Sequence, residues 1–232
     1  MSRPHLPEGP ARQRPGVRRS WLLPTALILL GIVPALARGL AGLAAAADPG
    51  AAPPEAQLHL SAPLMTHLVS GTAYAVLGAF QFSASFRRQH RAWHRRAGRL
   101  LIILGLTAAV SAVWLTLFYD SKNDSGTLIN SLRLTFATAM LVGLIIAFRA
   151  IRRRDVVRHR AWMIRAYAIG LGAGTQIFTL SFGEAVFGTG SLARAWLTGA
   201  GWVINLAVAE WAIRRRGKRQ PDRTAHAVPA AA

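Results

Sequence analysis

Apolar and polar residues alternate along this chain in long blocks, with apolar runs separated by short segments rich in arginine, proline or polar residues. An apolar run of about twenty residues is long enough to cross roughly 30 Å of hydrocarbon as an α-helix. Runs of about this length cover residues 21–47, 62–86, 100–119, 128–150, 161–187 and 195–213. The pattern therefore predicts an all-α fold, a polytopic transmembrane helix bundle of about six spans within residues 21–216.

The two ends of the chain lack this pattern. Residues 1–20 are rich in proline and arginine, which predicts a disordered basic leader, and residues 217–232 are predicted to be a disordered tail. The segment Pro34-Ala35-Leu36-Ala37 resembles a signal-peptidase site behind an arginine-rich region. Because the apolar run continues past Arg38, we expect an uncleaved first helix, with cleavage as the alternative.

The positive charge of the chain is confined to particular segments. Most of the 28 Lys and Arg residues lie in the leader, in residues 87–99 and 149–160, and in the tail from residue 214. Segments with this bias stay on the cytoplasmic side of a membrane. Six spans with both termini in the cytoplasm place every basic segment on the cytoplasmic side. We therefore expect a multi-pass protein of the cell inner membrane. The net charge of +19 then indicates which segments are cytoplasmic, and we expect no nucleic-acid partner.

Composition narrows the chemistry. A chain with 52% hydrophobic residues, 16% charged residues and a mean hydropathy of +0.30 is too apolar for an ordinary soluble domain, so we expect the lipid bilayer as its surroundings. It has no cysteine, which excludes disulfides and thiolate metal sites. Any metal or cofactor must be held by histidine, methionine, carboxylate or backbone groups. No reaction can be assigned from these features.

Two histidines stand at the same predicted depth. His94 opens the third span and His159 the fifth, both on the cytoplasmic side, so the two imidazoles could converge. Each shares a helix face with small residues, such as Gly98 beside His94 and Gly170 beyond His159. Two opposed imidazoles are a known ligand set for haem iron, which suggests one haem b. Arginines that could meet the haem propionates are Arg95, Arg99, Arg160 and Arg165.

Other interpretations of these histidines stay open. Small residues at four-residue spacing also allow two membrane helices to pack closely. His94 and His159 could be interfacial residues of basic segments whose arginines contact lipid phosphates. His90 and His94 are four residues apart and could hold a divalent metal on one helix face.

Charged residues inside the predicted spans are expected to pair. Arg165 and Glu210 lie at similar cytoplasmic depth, and Arg133 and Glu184 lie toward the outer side. We favour two neutralising ion pairs that hold helices together over a proton or substrate path, because an unpaired charge in lipid is costly.

Two further polar residues lie in the second span. His67 is near the outer end, about a membrane thickness from the other histidines, so it cannot share a ligand set with them. Gln81 is near the opposite end and is expected to face the cytoplasmic cluster.

Three motifs resemble a known family. They are His67…Gly71…Gly78…Gln81-Phe82, then His94-Arg95-x-x-Gly98-Arg99, and then His159-Arg160-x-Trp162-Met163-Ile164-Arg165-x-Tyr167-Ala168. Together they resemble, over about residues 60–185, a family of bacterial membrane proteins known as domain of unknown function twenty-three-oh-six. The resemblance implies a polytopic membrane protein and carries no activity.

A more distant likeness is to the cytochrome b561 class, in which four histidines on four consecutive spans hold two haems. His94 and His159 fit the pair shared by the third and fifth spans, whereas residues 128–150 contain no partner for His67. The likeness implies at most one haem, with electron transfer to a quinone or redox partner. The alternative is a non-redox bundle acting as a small transporter or assembly subunit, although no broken span is evident in both halves of the chain.

Overall fold

The computed structural model describes residues 17–47, 61–118 and 126–218. Its helices are α1 Val17–Ala47, α2 Ala62–Phe82, α3 Ala84–Gln89, α4 Arg91–Phe118, α5 Thr127–Arg152, α6 Val156–Gly170, α7 Gly172–Phe187 and α8 Ser191–Lys218. Within these ranges the chain contains no strand, which confirms the predicted all-α fold. Most of the predicted leader and tail, and the polar turn after Phe118, lie outside the described residues.

Three helices of the described chain are long and apolar enough to cross a membrane. They are Arg91–Phe118, Thr127–Arg152 and Ser191–Arg215, and a shorter apolar helix covers Trp21–Ala37. The number of six crossings and the side of each terminus stay predictions.

Helix α2 ends earlier than the apolar run predicts. It stops at Phe82, and the hydroxyl of Ser83 accepts a hydrogen bond from the amide of Phe86 at 3.3 Å, which caps the short basic helix α3. Helix α4 begins at Arg91 rather than at Leu100. His94 therefore lies in the first turn of a helix.

The fifth predicted span is two helices, which the sequence analysis did not predict. Leu171 lies between α6 and α7, and its flanking residues Gly170 and Gly172 weaken the helix because glycine is a poor helix former. Close contacts explain both glycines. A Cβ on Gly170 would lie 3.0 Å from the ring of Tyr74, and one on Gly172 would overlap the indole of Trp202.

Helix α2 is at the centre of the packing, in contact with α1, α4 and α6. Tyr74 is 1% exposed, and its ring lies 2.8 Å from where a Cβ of Gly105 on α4 would be. Seven residues earlier, Nδ1 of His67 lies 3.0 Å from the carbonyl oxygen of Ala108 on the same helix. These two contacts fix an antiparallel register between α2 and α4, which sets the depth of the residues further along both helices.

Candidate functional site at the basic end

The register of α2 and α4 places Gln81 at the same depth as Gly98. Gln81 lies two helical turns beyond Tyr74, and Gly98 lies two turns before Gly105, so both are displaced by the same distance from the contact of Tyr74 with Gly105. We call this the basic end of the bundle, because α3, the start of α4, and the turn between α5 and α6 carry its arginines. His94 is one turn further out than Gly98.

Helix α6 brings His159 to the same end. The carboxylate of Asp155 caps α6 by accepting a hydrogen bond from the amide of Arg158 at 2.9 Å, which puts His159 in the first turn. Nδ1 of His159 lies 2.9 Å from the carbonyl oxygen of Ala147 on α5. A carbonyl oxygen can only accept, so Nδ1 carries the proton, and Nε2 of the neutral ring keeps its lone pair.

His94 is half-buried and lies within electrostatic range of His159, Arg87 and Arg95. His94 and His159 thus lie at the same end of the bundle, and their convergence on one ligand stays a prediction. Nδ1 of His94 is buried and has no hydrogen-bond partner among the described residues. Helix α5 packs against both α4 and α6.

Gln81 adds a second buried group without a partner. Neither amide atom of its side chain forms a hydrogen bond within the described chain, and its backbone oxygen accepts from Nη1 of Arg87 at 3.1 Å. A Cβ built on Gly98 would have no atom within 4 Å, apart from its own helix and chain neighbours, so space is open one turn from His94. Buried polar atoms are nearly always bonded to protein or water. Three unpartnered polar atoms at one end of the bundle therefore indicate a site for water or a polar ligand.

Aromatic side chains gather at the same end. The ring of Phe86 lies 4.9 Å from that of Trp93, 4.7 Å from His90 and 5.7 Å from Phe80. His90 is exposed, and its ring is tilted against that of Phe86. Among the described residues, no three His, Asp or Glu side chains are grouped so that they could hold a metal ion. The ligand pair of His94 and His159 stays a prediction.

Arg165 and Glu210 form the ion pair predicted from their depth. Nε and Nη2 of Arg165 contact the two carboxylate oxygens of Glu210, the second at 3.2 Å, and the guanidinium lies 5.0 Å from the ring centre of Trp162. The pair joins α6 to α8. A role for Arg165, or for the exposed Arg99, toward a propionate stays a prediction.

At the opposite end of the bundle, Nε of Arg194 lies 3.2 Å from Oε1 of Glu184. The predicted pairing of Arg133 with Glu184 stays a prediction. Arg133 lies half-buried on α5. His67 is also at this end, where Ser111 and Ala108 hold its Nδ1, so it is separate from the other histidines as predicted.

Asn205 and Tyr74 are polar residues that the sequence analysis missed. Asn205 bridges α8 to the break at Leu171, and the hydroxyl of Tyr74 is buried without a partner in the described chain. Tyr74 lies seven positions from both His67 and Gln81, so its place on their helix face is a signal that could have found it. For Asn205 the signal is the cost of a polar side chain in lipid.

Comparison with known proteins supports a membrane protein. No curated protein and no solved structure matches the chain, and the cytochrome b561 likeness stays a prediction. A family model described as predicted membrane protein (DUF2306) matches residues 64–213, which include Gln81, His94, His159 and Glu210. The match confirms the resemblance of the three motifs and extends it through most of α8. The chain therefore belongs to the DUF2306 family of predicted membrane proteins.

Proposed function

We propose that this protein binds one b-type haem at the basic end of the bundle, with His94 and His159 as the axial ligands. The proposal is supported by two imidazoles from separate helices at one end of the bundle, close enough for electrostatic interaction, and by buried polar atoms there that have no partner among the described residues. Bound haem iron would supply one-electron transfer. The chain would hold and orient the group and keep water from it.

The residues present fit such a group. A metal-bound histidine usually donates its other ring N–H to a carbonyl or carboxylate, and His159 donates to the carbonyl oxygen of Ala147 in this way. His94 approaches from α4, and the open space at Gly98 adjoins it on the same face. Arg99, the residue after Gly98, is exposed, and its guanidinium could form an ion pair with a haem propionate.

The same proposal places the protein in the cell inner membrane with six crossings and the basic end at the cytoplasmic face. It is supported by the concentration of arginine in α3, in the start of α4, and in residues 149–160. A quinone or a redox protein is the partner we propose for electron exchange. Phe80, Phe86 and Trp93 form a cluster of aromatic rings at that end, packed edge to face and at a tilt.

An absorbance spectrum tests the haem. Protein purified from haem-replete cells is expected to show a b-type spectrum that is lost in His94→Ala and in His159→Ala. His67→Ala and His90→Ala are matched controls, because His67 lies at the other end and His90 is stacked on Phe86, and both are expected to keep the spectrum. Folded wild-type protein without colour would overturn the proposal.

A pair of glycine variants tests the position of the group. Gly98 and Gly71 both lie in helices, and a Cβ on either would meet nothing within 4 Å apart from its own helix and chain neighbours. Gly98→Leu fills the space beside His94 on α4 and is expected to lower the haem content. Gly71→Leu changes α2 away from the basic end and is expected to leave the haem content unchanged. Equal haem content in the two variants contradicts a site at Gly98.

The second candidate is a non-redox bundle, a small transporter or an assembly subunit. The broken helix at Leu171 favours it, because interrupted helices often form substrate sites in transporters. Here Asn205 already occupies the break, with hydrogen bonds to Ala168 and Thr175. Colourless protein whose Asn205→Ala variant loses transport of a solute in vesicles would favour this candidate over the haem protein.

A further inference from the structure

We infer that an anionic phospholipid binds to an exposed face of helix α5, with its phosphate at Arg149 and Arg152 and its acyl chains along Val142 and Ile145. These residues are called the lipid face of α5. The inference concerns a surface that meets the membrane and does not depend on whether haem binds.

The four side chains lie on one side of α5. They are spaced at i, i+3, i+7 and i+10 within the helix Thr127–Arg152, which places them in a sector of about 80° around its axis. Val142 and Ile145 are 45% and 44% exposed, and both arginines are exposed as well. Ala147, whose carbonyl oxygen accepts from His159, is buried on the opposite side of the helix. The lipid face is therefore separate from the histidines.

Polarity changes once along the lipid face. The two apolar residues come first, and the arginines lie in the last turns of a helix long and apolar enough to cross a membrane. From Val142 to Arg152 this helix rises about 15 Å, which is half of the roughly 30 Å of hydrocarbon in a bilayer. An apolar strip of this length that ends at two cations matches a phospholipid, whose charged headgroup lies at one end of its acyl chains.

The charge of these arginines calls for an anion from outside the chain. Residues 149–160 contain six arginines and one carboxylate, that of Asp155, which already accepts from the amide of Arg158 at 2.9 Å. Within the described ranges, the side chains of Arg149 and Arg152 form no ion pair or hydrogen bond. Guanidinium groups bind phosphate oxygens through paired N–H groups. A phosphate is therefore a partner that complements this surface.

Exposed apolar side chains distinguish a phospholipid from a soluble anion. In the same basic segment, Val156 and Val157 at the start of α6 are 61% and 79% exposed. Surfaces that combine cations with exposed apolar residues lie in the membrane interface, where the cations meet phosphates and the apolar groups meet acyl chains. Free phosphate would complement the arginines alone and leave the valines and Ile145 in water.

The two arginines have a second possible role, which the test must separate from lipid binding. Cations in the last turn of a helix interact favourably with the helix dipole, and Arg149 and Arg152 are in that position. This interaction stabilises α5 whichever lipid surrounds it. The measurement is therefore lipid affinity, compared between an anionic and a zwitterionic headgroup.

Native mass spectrometry of the purified protein in detergent tests the inference. Dioleoylphosphatidylglycerol and dioleoylphosphatidylcholine, which share their acyl chains, are titrated separately, and the bound lipids are counted. We expect the first phosphatidylglycerol to bind more tightly than phosphatidylcholine. Arg149→Gln and Arg152→Gln should each weaken phosphatidylglycerol binding roughly fivefold, the effect of one basic residue at an anionic membrane surface, and leave phosphatidylcholine binding unchanged.

Matched arginines control for the loss of charge. Arg88 on α3 and Arg91 at the start of α4 are exposed at the same end of the bundle. Arg88→Gln and Arg91→Gln are expected to keep the wild-type affinity, because neither residue belongs to the lipid face of α5. An equal loss in all four variants would overturn the inference, since it would mean that net charge alone attracts the lipid. Equal affinity of the wild type for the two lipids would also overturn it.

Ile145→Ser tests the apolar half of the face without a change of charge. We expect it to weaken phosphatidylglycerol binding, whereas Val110→Ser, an exposed change on α4, should not. Wild-type affinity in folded Ile145→Ser would mean that the arginines hold a headgroup without seated chains, which contradicts the inference. A wild-type dimer that Ile145→Ser separates would assign the face to a second copy of the chain instead.

Discussion

Asn205 on α8 donates a hydrogen bond from Nδ2 to the carbonyl oxygen of Ala168 on α6 at 3.1 Å. In an uninterrupted helix that carbonyl would accept from the amide of Gly172, four residues on. The Oδ1 of Asn205 also accepts from the hydroxyl of Thr175 at 2.7 Å on the far side of Leu171. One amide side chain therefore bridges both halves of the broken helix, which makes the break a fixed feature of the fold.

Asn205→Leu should destabilise the protein, because it removes both hydrogen bonds and leaves the carbonyl of Ala168 without this partner. We expect the free energy of unfolding in detergent to fall by about 1–2 kcal/mol, within the range of side-chain hydrogen bonds between membrane helices. Val208→Leu, an exposed change on the same helix, is the control and should have no effect. Equal stability of Asn205→Leu and the wild type would show that the bridge contributes nothing.

The ion pair of Arg165 and Glu210 should be energetically coupled. Arg165→Ala and Glu210→Ala are each expected to lower stability, because each leaves one charge without its partner. The double variant should lose less than the sum, with a coupling energy of about 0.5–3 kcal/mol. If the two single losses in the free energy of unfolding add up to that of the double variant, the contact between Arg165 and Glu210 does not contribute to stability.

Two glycines of the same helix bundle should respond in opposite directions to alanine. A Cβ on Gly78 would overlap the ring of Tyr167, which Phe82 at 4.8 Å and the bond to Ala75 hold in place. Gly78→Ala should therefore lower the free energy of unfolding by about 1–3 kcal/mol. A Cβ on Gly98 would have no such neighbour. Gly98→Ala should therefore raise the free energy of unfolding by up to about 1 kcal/mol, because alanine has a higher helix propensity than glycine. Thermal unfolding of both variants checks this, and a shift in the same direction would contradict it.

The sequence predicts the helices and the depth of their polar residues in the membrane well. Burying a charge in lipid is costly, and this cost limits where each span can begin and end. That cost predicted the contact of Arg165 with Glu210, which the structure confirms. Depth alone does not say which helices are neighbours. Glu184 contacts Arg194 because α7 packs on α8, a contact that the depth argument did not consider.

The break at Leu171 could not be predicted for a different reason. A glycine on either side of one leucine is common within membrane helices, where small residues serve packing. What fixes the break is tertiary structure: Tyr74 and Trp202 fill the space beside Gly170 and Gly172, and Asn205 takes the carbonyl of Ala168. Each of these contacts joins residues more than thirty positions apart along the chain or on separate helices.

Cysteine labelling should show that α6 and α7 together make one crossing. The chain has no cysteine, so a single introduced one is a unique reporter. Arg153→Cys reports on the turn before α6 and Thr189→Cys on the turn after α7, and both positions are exposed. From residue 156 to residue 187 the two helices together extend well over the roughly 30 Å of hydrocarbon, even with a bend at Leu171. We expect a membrane-impermeant maleimide to label Thr189→Cys on intact cells and Arg153→Cys only after the membrane is opened. If both cysteines react from one side, the break at Leu171 is the tip of a re-entrant hairpin, and His159 and Glu184 then lie on the same side of the membrane.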